Sequence, residues 1–272
     1  MNPIVLPKQI NYLAAFLTLR CNLNCPYCIN RQGSFVVPDE MTGEQWIQAF
    51  ERIPTREDLP ISIQGGEPTI HPDFYWMMSN IFGKKFDLLT NGKFNLTEFM
   101  GNIHPGVFMR KAPYASIRFS YHKDKNDGYL TSKLDQLKNA GYSVGVWGFD
   151  NLDNKIMQHY CKTNDIDFRT KEMLDETHGT YKYPDALSGI PRKAMCKSSE
   201  LLIAPDGKLY RCHSDLYSGI NSYGHILDKE ICFPETFIEC DRFGFCNRCD
   251  IKVKFDRFQV PGHCSVEIQE CE

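Results

Sequence analysis

Between Ala14 and Thr170, short apolar runs alternate with stretches in which apolar residues recur every three or four positions. The runs fit strands buried on both faces, and the second spacing fits amphipathic helices. The first run, Ala14 to Leu19, predicts a strand that delivers a cysteine-rich loop at its C-terminal end. Thr42 with Gln45 three residues on is a capping-box pattern, and Trp46, Ile47, Ala49, Phe50 and Ile53 supply a helical stripe behind it. Leu59 to Ile63 predicts a second strand, running straight into Gln64-Gly65-Gly66-Glu67. Phe74 to Phe82 reads as a helix, with Pro72 near its start and Gly83 at its close. Phe86 to Leu89 is a third strand and ends in Thr90-Asn91-Gly92. Ser116 to Tyr121, Ser143 to Trp147 and Ile166 to Thr170 are three more strands, with helices at Leu130 to Ala140 and Leu152 to Tyr160.

Such alternation implies βα units around a parallel sheet, hence an α/β fold. The chemically suggestive stretches follow strands one, two and three, at the C-terminal ends where parallel α/β folds carry their chemistry. After about Lys171 the pattern changes. Thr180 to Ser188 reads as a crossover. Leu201 to Ala204, Pro205-Asp206-Gly207 and Lys208 to Cys212 form a strand–turn–strand hairpin pattern. Two units are expected, residues 1–180 and 181–272.

The first cysteine loop, Cys21-Asn22-Leu23-Asn24-Cys25-Pro26-Tyr27-Cys28, places three thiols where they can meet one metal centre. Soft thiolates suit an iron–sulfur cluster or zinc, and both normally want a fourth donor. The next candidate, His71, is 43 residues beyond Cys28, which leaves one iron of a 4Fe–4S cluster open for a substrate. A structural zinc or three buried thiols is the other reading of this stretch.

Cys21, Cys25 and Cys28, with Tyr27 before the third, resemble the signature of the radical SAM superfamily. Gln64-Gly65-Gly66-Glu67-Pro68 resembles that family's second motif, and Thr90-Asn91-Gly92 a turn after its third strand. The resemblance implies a partial (β/α)6 TIM-type barrel, a 4Fe–4S cluster that binds S-adenosylmethionine, and reductive cleavage of that molecule to a 5′-deoxyadenosyl radical. It also implies cofactor-binding roles for Tyr27, Gly65, Gly66, Glu67, Thr90, Asn91 and Ser120. Gly65 and Gly66 would admit the methionine moiety where a side chain would collide, and Glu67 would hold its ammonium. A strand-ending turn and a surface carboxylate are the plainer readings.

On the fourth strand, Arg118, Ser120 and His122 share one face by period-two alternation. His122 reads as a proton acceptor or substrate contact, or as an ordinary strand-end histidine. Arg169 on the sixth strand reads as a substrate-anion contact or a structural ion pair.

Composition changes the picture in two ways. The chain of 272 residues is 42% hydrophobic and 24% charged, with net charge −3, so it holds a sizeable core and has no global pull toward nucleic acid; a local basic groove stays compatible with that balance. Its longest apolar run, Tyr12 to Leu19, is too short to cross a bilayer, so no membrane role is expected. Twelve cysteines with no signal-peptide pattern point to metal ligands in a reducing cytoplasm rather than disulfides.

Eight of those cysteines lie between Cys196 and Cys271. Cys196, Cys212 and the pair Cys246-Asn247-Arg248-Cys249 resemble the SPASM or twitch extension of the same superfamily, a small cysteine-rich hairpin/helix unit. The resemblance implies an auxiliary 4Fe–4S cluster, while four thiolates suit structural zinc equally well. Cys240-x5-Cys246-x2-Cys249 reverses the usual order of that motif, which leaves Cys240 or Cys264 as substitute ligands and puts a second auxiliary cluster, with Cys271, in doubt. Cys161 and Cys232 are expected to be buried thiols.

The functional expectation is an oxidoreductase-type radical SAM enzyme acting on a small molecule, since only 20 residues precede Cys21 and peptide-modifying relatives commonly carry a leader-binding domain there. A flavodoxin or ferredoxin would supply the electron. A peptide maturase is the alternative, and a non-enzymatic iron–sulfur or zinc protein the alternative from another class.

Overall fold

A computed structural model describes residues 2–25, 28, 39–56, 58–109, 112–149, 153–171, 192–234, 236–243 and 266–271. In chain order its elements are β1 (Tyr12–Thr18), α1 (Gly43–Arg52), β2 (Ile61–Gly65), α2 (Phe74–Asn80), β3 (Phe86–Thr90), α3 (Leu96–Asn102), β4 (Ile117–Ser120), α4 (Lys123–Asn139), β5 (Val144–Phe149), α5 (Lys155–Thr163) and β6 (Asp167–Lys171). They are followed by β7 (Arg192–Ser198), β8 (Glu200–Ile203), β9 (Leu209–Tyr210), α6 (His213–Ser218), β10 (Ile238–Phe243) and β11 (Val266–Glu270). This is the expected α/β architecture of a partial TIM-type barrel: β1 to β6 lie side by side in sequence order and pair in parallel.

Local sequence accounts for most element boundaries. Thr42 Oγ1 accepts from Gln45 N at 3.3 Å and Gln45 Oε1 accepts from Thr42 N at 2.9 Å, so the capping box that starts α1 is complete. Gly141 stops α4 with φ of +89°, a conformation that strains residues with a side chain. The helix α3 was not expected from apolar spacing; its start is set by Asn95, whose side chain accepts from Glu98 N at 3.2 Å. The helix α4 begins at Lys123, seven residues before the apolar stripe that predicted it.

Alternation along the strands divides the interior in two. Leu13, Ala15 and Leu17 of β1, Ile61 and Ile63 of β2, and Ile117 and Phe119 of β4 pack outward against Trp46, Phe50, Met77 and Leu134 of the helices. Trp46 stacks on Phe50 at 5.4 Å, and each such wholly buried side chain contributes about 1.5–3 kcal/mol. The other face of the strands looks into the barrel. It carries Ala14 and Phe16, packed with Leu202, Tyr210, Leu216 and Tyr217, and further along the polar set Ser62, Gln64, Asp87, Arg118 and Ser120.

The predicted hairpin is present as β8 and β9, but it does not stand apart from the barrel. The strand β8 pairs in parallel with β1, Tyr12 opposite Glu200 and Ala15 opposite Ile203, and extends the sheet by two strands. An open barrel leaves β1 with an unpaired edge, and this hairpin covers it. A second, antiparallel sheet has the order β10-β7-β11. The boundary expected near residue 180 lies outside the described residues. Among the described residues no helix is long and apolar enough to cross a membrane.

Candidate functional site

Three segments meet at the C-terminal ends of β1, β2 and β3. The cysteine loop leaves β1 after Thr18, where the register with β2 shifts so that Thr18 lies opposite Gly65. Gly66 N donates to Thr18 O and Glu67 N to Arg20 O, each at 2.8 Å, which lashes the two loops together. A Cβ at Gly65 would lie 2.0 Å from Thr18 O, and one at Gly66 2.0 Å from Arg20 O. The crowding seen here is therefore between the glycines and the chain's own cysteine loop. Gly65 has φ of +143°, a second reason for glycine.

Glu67 is wholly buried. Its Oε1 accepts from Thr69 N at 3.2 Å, Thr69 Oγ1 at 2.7 Å and Thr90 Oγ1 at 2.8 Å, while Oε2 accepts from Asn91 N at 2.7 Å. The carboxylate thus pins the end of β3 to the loop after β2. Burial pushes its pKa up and outweighs the hydrogen bonds from Asn91, Thr69 and Thr90, which pull it down. Three donors crowd Oε1, and Oε2 is the oxygen with room for one more.

Cys25 is buried, Cys21 and Cys28 are half-buried, and Cys28 N donates to Cys25 O at 3.2 Å in a tight turn. Cys21 Sγ accepts from Leu23 N at 3.4 Å and from Asn91 Nδ2 at 3.5 Å. Burial is the main influence on the Cys21 thiol and pushes its pKa up. The loop's far end is tied by Glu40, which accepts from Arg20 Nε at 2.9 Å and Nη2 at 2.7 Å and from the Thr18 hydroxyl. Asn22, Glu40 and Thr69 escaped sequence reasoning; none carries a local signal except the Glu67-Pro68-Thr69 cap, legible as an acceptor two residues before a threonine. Tyr27 lies outside the described residues.

Deeper in the barrel, Arg118 Nη2 donates to Asp87 Oδ2 at 3.0 Å and to Ser62 Oγ at 3.1 Å. Its guanidinium lies over Tyr114 at 5.1 Å and Trp147 at 5.5 Å, and the Arg169 guanidinium lies over the same two rings at 5.8 and 5.7 Å. Arg169 also donates to Asp167 Oδ2 at 2.8 Å and to Pro113 O at 2.5 Å. Tyr114 and Pro113 precede β4, while Trp147 pairs with Ser120 and Arg169 across the sheet, so the cluster joins β4, β5 and β6. Ser120 is half-buried at the end of β4, opposite Trp147. His122 is buried as the residue that opens α4, its ring 5.8 Å from Phe149. The structure therefore links Cys21, Glu67, Thr90 and Asn91 by direct hydrogen bonds, while Arg169 is ion-paired with Asp167.

Of the later cysteines, Cys196 on β7 is buried and Cys212 opens α6, its Sγ accepting from Asp215 N at 3.4 Å. Arg211 Nη1 donates to Cys196 Sγ at 3.3 Å while its Nε donates to Asp215 Oδ2 at 2.9 Å. Cys240 opposes Ala194 on β7, two positions from Cys196 and on the same face. A hydrogen bond between the two thiols, together with burial, pushes the Cys196 pKa far up. Cys246, Cys249 and Cys264 lie outside the described residues, and Cys271 is exposed. Cys161 is buried as expected, with its pKa pushed up to about 12 by burial. Cys232 is exposed, contrary to expectation, because it sits in an irregular surface stretch after α6 rather than on a packed element. Among the described residues no three His, Cys, Asp or Glu side chains form a ready-made single-ion site.

The cysteines lie at the C-terminal end of the first strand of a partial parallel barrel, the end at which such barrels carry their chemistry. Residues 16–169, more than half of the chain, match the Radical SAM superfamily, and the protein belongs to it. The chain is 35% identical to mouse Molybdenum cofactor biosynthesis protein 1 over 92 residues, 31% of this chain and 14% of that protein. Its fold is similar to that of Streptococcus suis SuiB bound to S-adenosylmethionine, with TM-score 0.58 and 14% identity over 81% of this chain and 64% of SuiB. It is also similar to anSMEcpe with bound AdoMet and the Kp18Cys peptide, with TM-score 0.54 and 16% identity over 80% of this chain and 78% of that one.

Membership implies an enzyme with a 4Fe–4S cluster and S-adenosylmethionine. The donor set fits the cluster: three thiols on one loop, with two N–H groups aimed at the sulfur of Cys21.

Proposed function

We propose that this enzyme uses the cysteine loop and the Gly65-Gly66-Glu67 turn to cleave S-adenosylmethionine reductively and to abstract a hydrogen atom from a small polar molecule in the barrel. One observation carries the reading: the first cysteine, the double glycine, Glu67 and Asn91 are joined by direct hydrogen bonds at the C-terminal ends of three adjacent strands. The cluster and S-adenosylmethionine, when bound, supply a 5′-deoxyadenosyl radical. The chain's own residues position the loop and line the cup beneath it.

The lumen supports a polar, compact substrate. Ser62, Gln64, Asp87, Arg118 and Ser120 face inward, and the rings of Tyr114 and Trp147 lie between the Arg118 and Arg169 guanidinium groups. Gln64 Nε2 and Arg118 Nε are buried donors without a partner among the described residues. Both want an acceptor such as a carbonyl or hydroxyl oxygen. Because Asp87 already neutralises Arg118, an uncharged acceptor suits the place better than a second carboxylate.

An auxiliary 4Fe–4S cluster at Cys196, Cys212, Cys246 and Cys249 is part of the reading, with Cys240 a neighbouring substitute. Those cysteines would hold the cluster, whose chemistry would be that of a one-electron acceptor, and His122 or solvent would accept the proton when the substrate is oxidised by two electrons. A flavodoxin or ferredoxin would supply the first electron. Arg211, which donates to Cys196 Sγ, would stabilise a metal-bound sulfur there against the burial that favours the free thiol. A second reading, peptide modification, is favoured by the fold likeness to anSMEcpe, which was solved with a peptide.

The test is anaerobic reconstitution with measurement of iron and of 5′-deoxyadenosine. About eight irons per chain are expected, of which Cys246→Ala with Cys249→Ala removes about four and leaves S-adenosylmethionine cleavage detectable. Small hydroxylated molecules should accelerate 5′-deoxyadenosine release; acceleration by peptides alone would favour the second reading. Zinc with about four irons would remove the auxiliary cluster.

A further inference from the structure

We propose that Asn91 is a positioning residue for the cluster: its side-chain amide donates an N–H···S hydrogen bond to Cys21 that raises the cluster's reduction potential. The inference rests on family membership for the cluster itself, and on this chain's geometry for everything else.

The orientation of the amide is fixed by its neighbours. Lys93 N lies 2.7 Å from Asn91 Oδ1, and a backbone N–H can only donate, so that atom must be the carbonyl oxygen. The amide nitrogen therefore faces the other way, 3.5 Å from Cys21 Sγ and 2.9 Å from Asn22 Oδ1. Asn22 is oriented by the same logic, because its nitrogen lies 2.7 Å from Lys93 O. The two assignments agree with each other.

Asn91 is also held rigidly enough to keep that aim. Its backbone N–H is bound by Glu67 Oε2 at 2.7 Å, and its carbonyl accepts from Tyr129 Oη at 3.3 Å. Lys133 Nζ donates to Gly92 O at 2.7 Å and also to Phe94 O, which fixes the turn just beyond. Gly92 reverses the chain with φ of +78°. A buried donor held by four neighbours loses little entropy in making the bond.

Reduction adds one negative charge to a thiolate-ligated cluster, and a donor on a ligand sulfur stabilises that charge more than the oxidised state. The consequence is a less negative potential, which eases the electron transfer that precedes cleavage. Asn91 thereby links Glu67 to the first cluster ligand through one residue.

The test compares wild type, Asn91→Ala, Asn91→Asp and Asn22→Ala after anaerobic reconstitution. The readouts are iron content and an EPR-monitored redox titration of the cluster whose signal S-adenosylmethionine perturbs. Asn91→Ala should keep its iron and show about a tenfold lower reduced-to-oxidised ratio at a fixed poise, a shift of about 59 mV for one electron. Asn91→Asp retains the acceptor for Lys93 N, loses the donor and adds a negative charge, so its potential should fall further. Asn22→Ala leaves the donor to Cys21 and should shift the potential least. Unchanged potentials in both Asn91 variants, with iron retained, would overturn the proposal. Loss of the cluster from both with the far-UV circular dichroism preserved would also overturn it, since Asn91 would then only hold the loop. A wild type with no cluster responsive to S-adenosylmethionine would overturn the proposed function as well.

Discussion

Replacing Glu67 by Gln keeps the side chain's shape and converts one acceptor oxygen into a donor. If the new amide nitrogen replaced Oε2 it would face Asn91 N–H at 2.7 Å, donor against donor. If it replaced Oε1 it would meet the Thr69 and Thr90 hydroxyls, which can rotate and accept, and Thr69 N–H, which cannot. The second arrangement is the less costly one and leaves a single buried backbone N–H unpaired. That costs about 1–3 kcal/mol. Part of it is returned, because burial disfavours the charge that the substitution removes. Urea unfolding of the apo chain should therefore show Glu67→Gln destabilised by about 1–2 kcal/mol, out of a total of roughly 5–15 kcal/mol. The sign of the pH dependence is a second check. A carboxyl whose folded pKa is raised stabilises fully below the ordinary carboxylate range, and that contribution is lost as pH rises through the folded pKa. Wild type should lose stability over that rise and Glu67→Gln should not. A variant as stable as wild type at every pH would refute the hydrogen-bond network as drawn.

Gly66→Ala puts a Cβ 2.0 Å from Arg20 O, so the cysteine loop must move; a loss of about 1–3 kcal/mol or more in thermal unfolding and of most of the iron is expected. Asp87→Ala leaves the Arg118 guanidinium buried without its carboxylate and should cost about 3–5 kcal/mol in urea unfolding, while iron binding by the cysteine loop persists. Burial raises the Glu40 carboxyl, but Arg20 and Thr18 outweigh it and hold its pKa below the ordinary value. Its contribution is present above the ordinary carboxylate range and lost as pH falls through the lowered pKa, so Glu40→Gln should be less stable than wild type at neutral pH, by under about 1 kcal/mol, and equal to it in acid.

The barrel was legible because most of its strands are short, largely apolar segments, and the first three are each followed by their own turn chemistry. Thr42 with Gln45 and Gly141 announce helix ends through contacts within four residues. The pairing of β8 with β1 was not legible, since it joins Tyr12 to Glu200 and depends on which edge the partial barrel leaves open. Glu67 stood out by its place after two glycines, yet its partners Thr90 and Asn91 come from the end of another strand, and only the fold shows that they bind the carboxylate. The same holds for Cys240, which ladder pairing carries next to Cys196. Cys232, expected to be buried as cysteines commonly are, is exposed because it lies in an irregular surface stretch, on no helix or strand.

The central claim is that the loop of Cys21, Cys25 and Cys28 holds the cluster at which S-adenosylmethionine is cleaved. The most direct measurement is 5′-deoxyadenosine release by anaerobically reconstituted, reduced protein, beside a variant with all three cysteines replaced by Ala. Wild type should release 5′-deoxyadenosine, and the triple variant should release none while keeping its far-UV circular dichroism and losing about four irons per chain. Equal release by both would contradict the account.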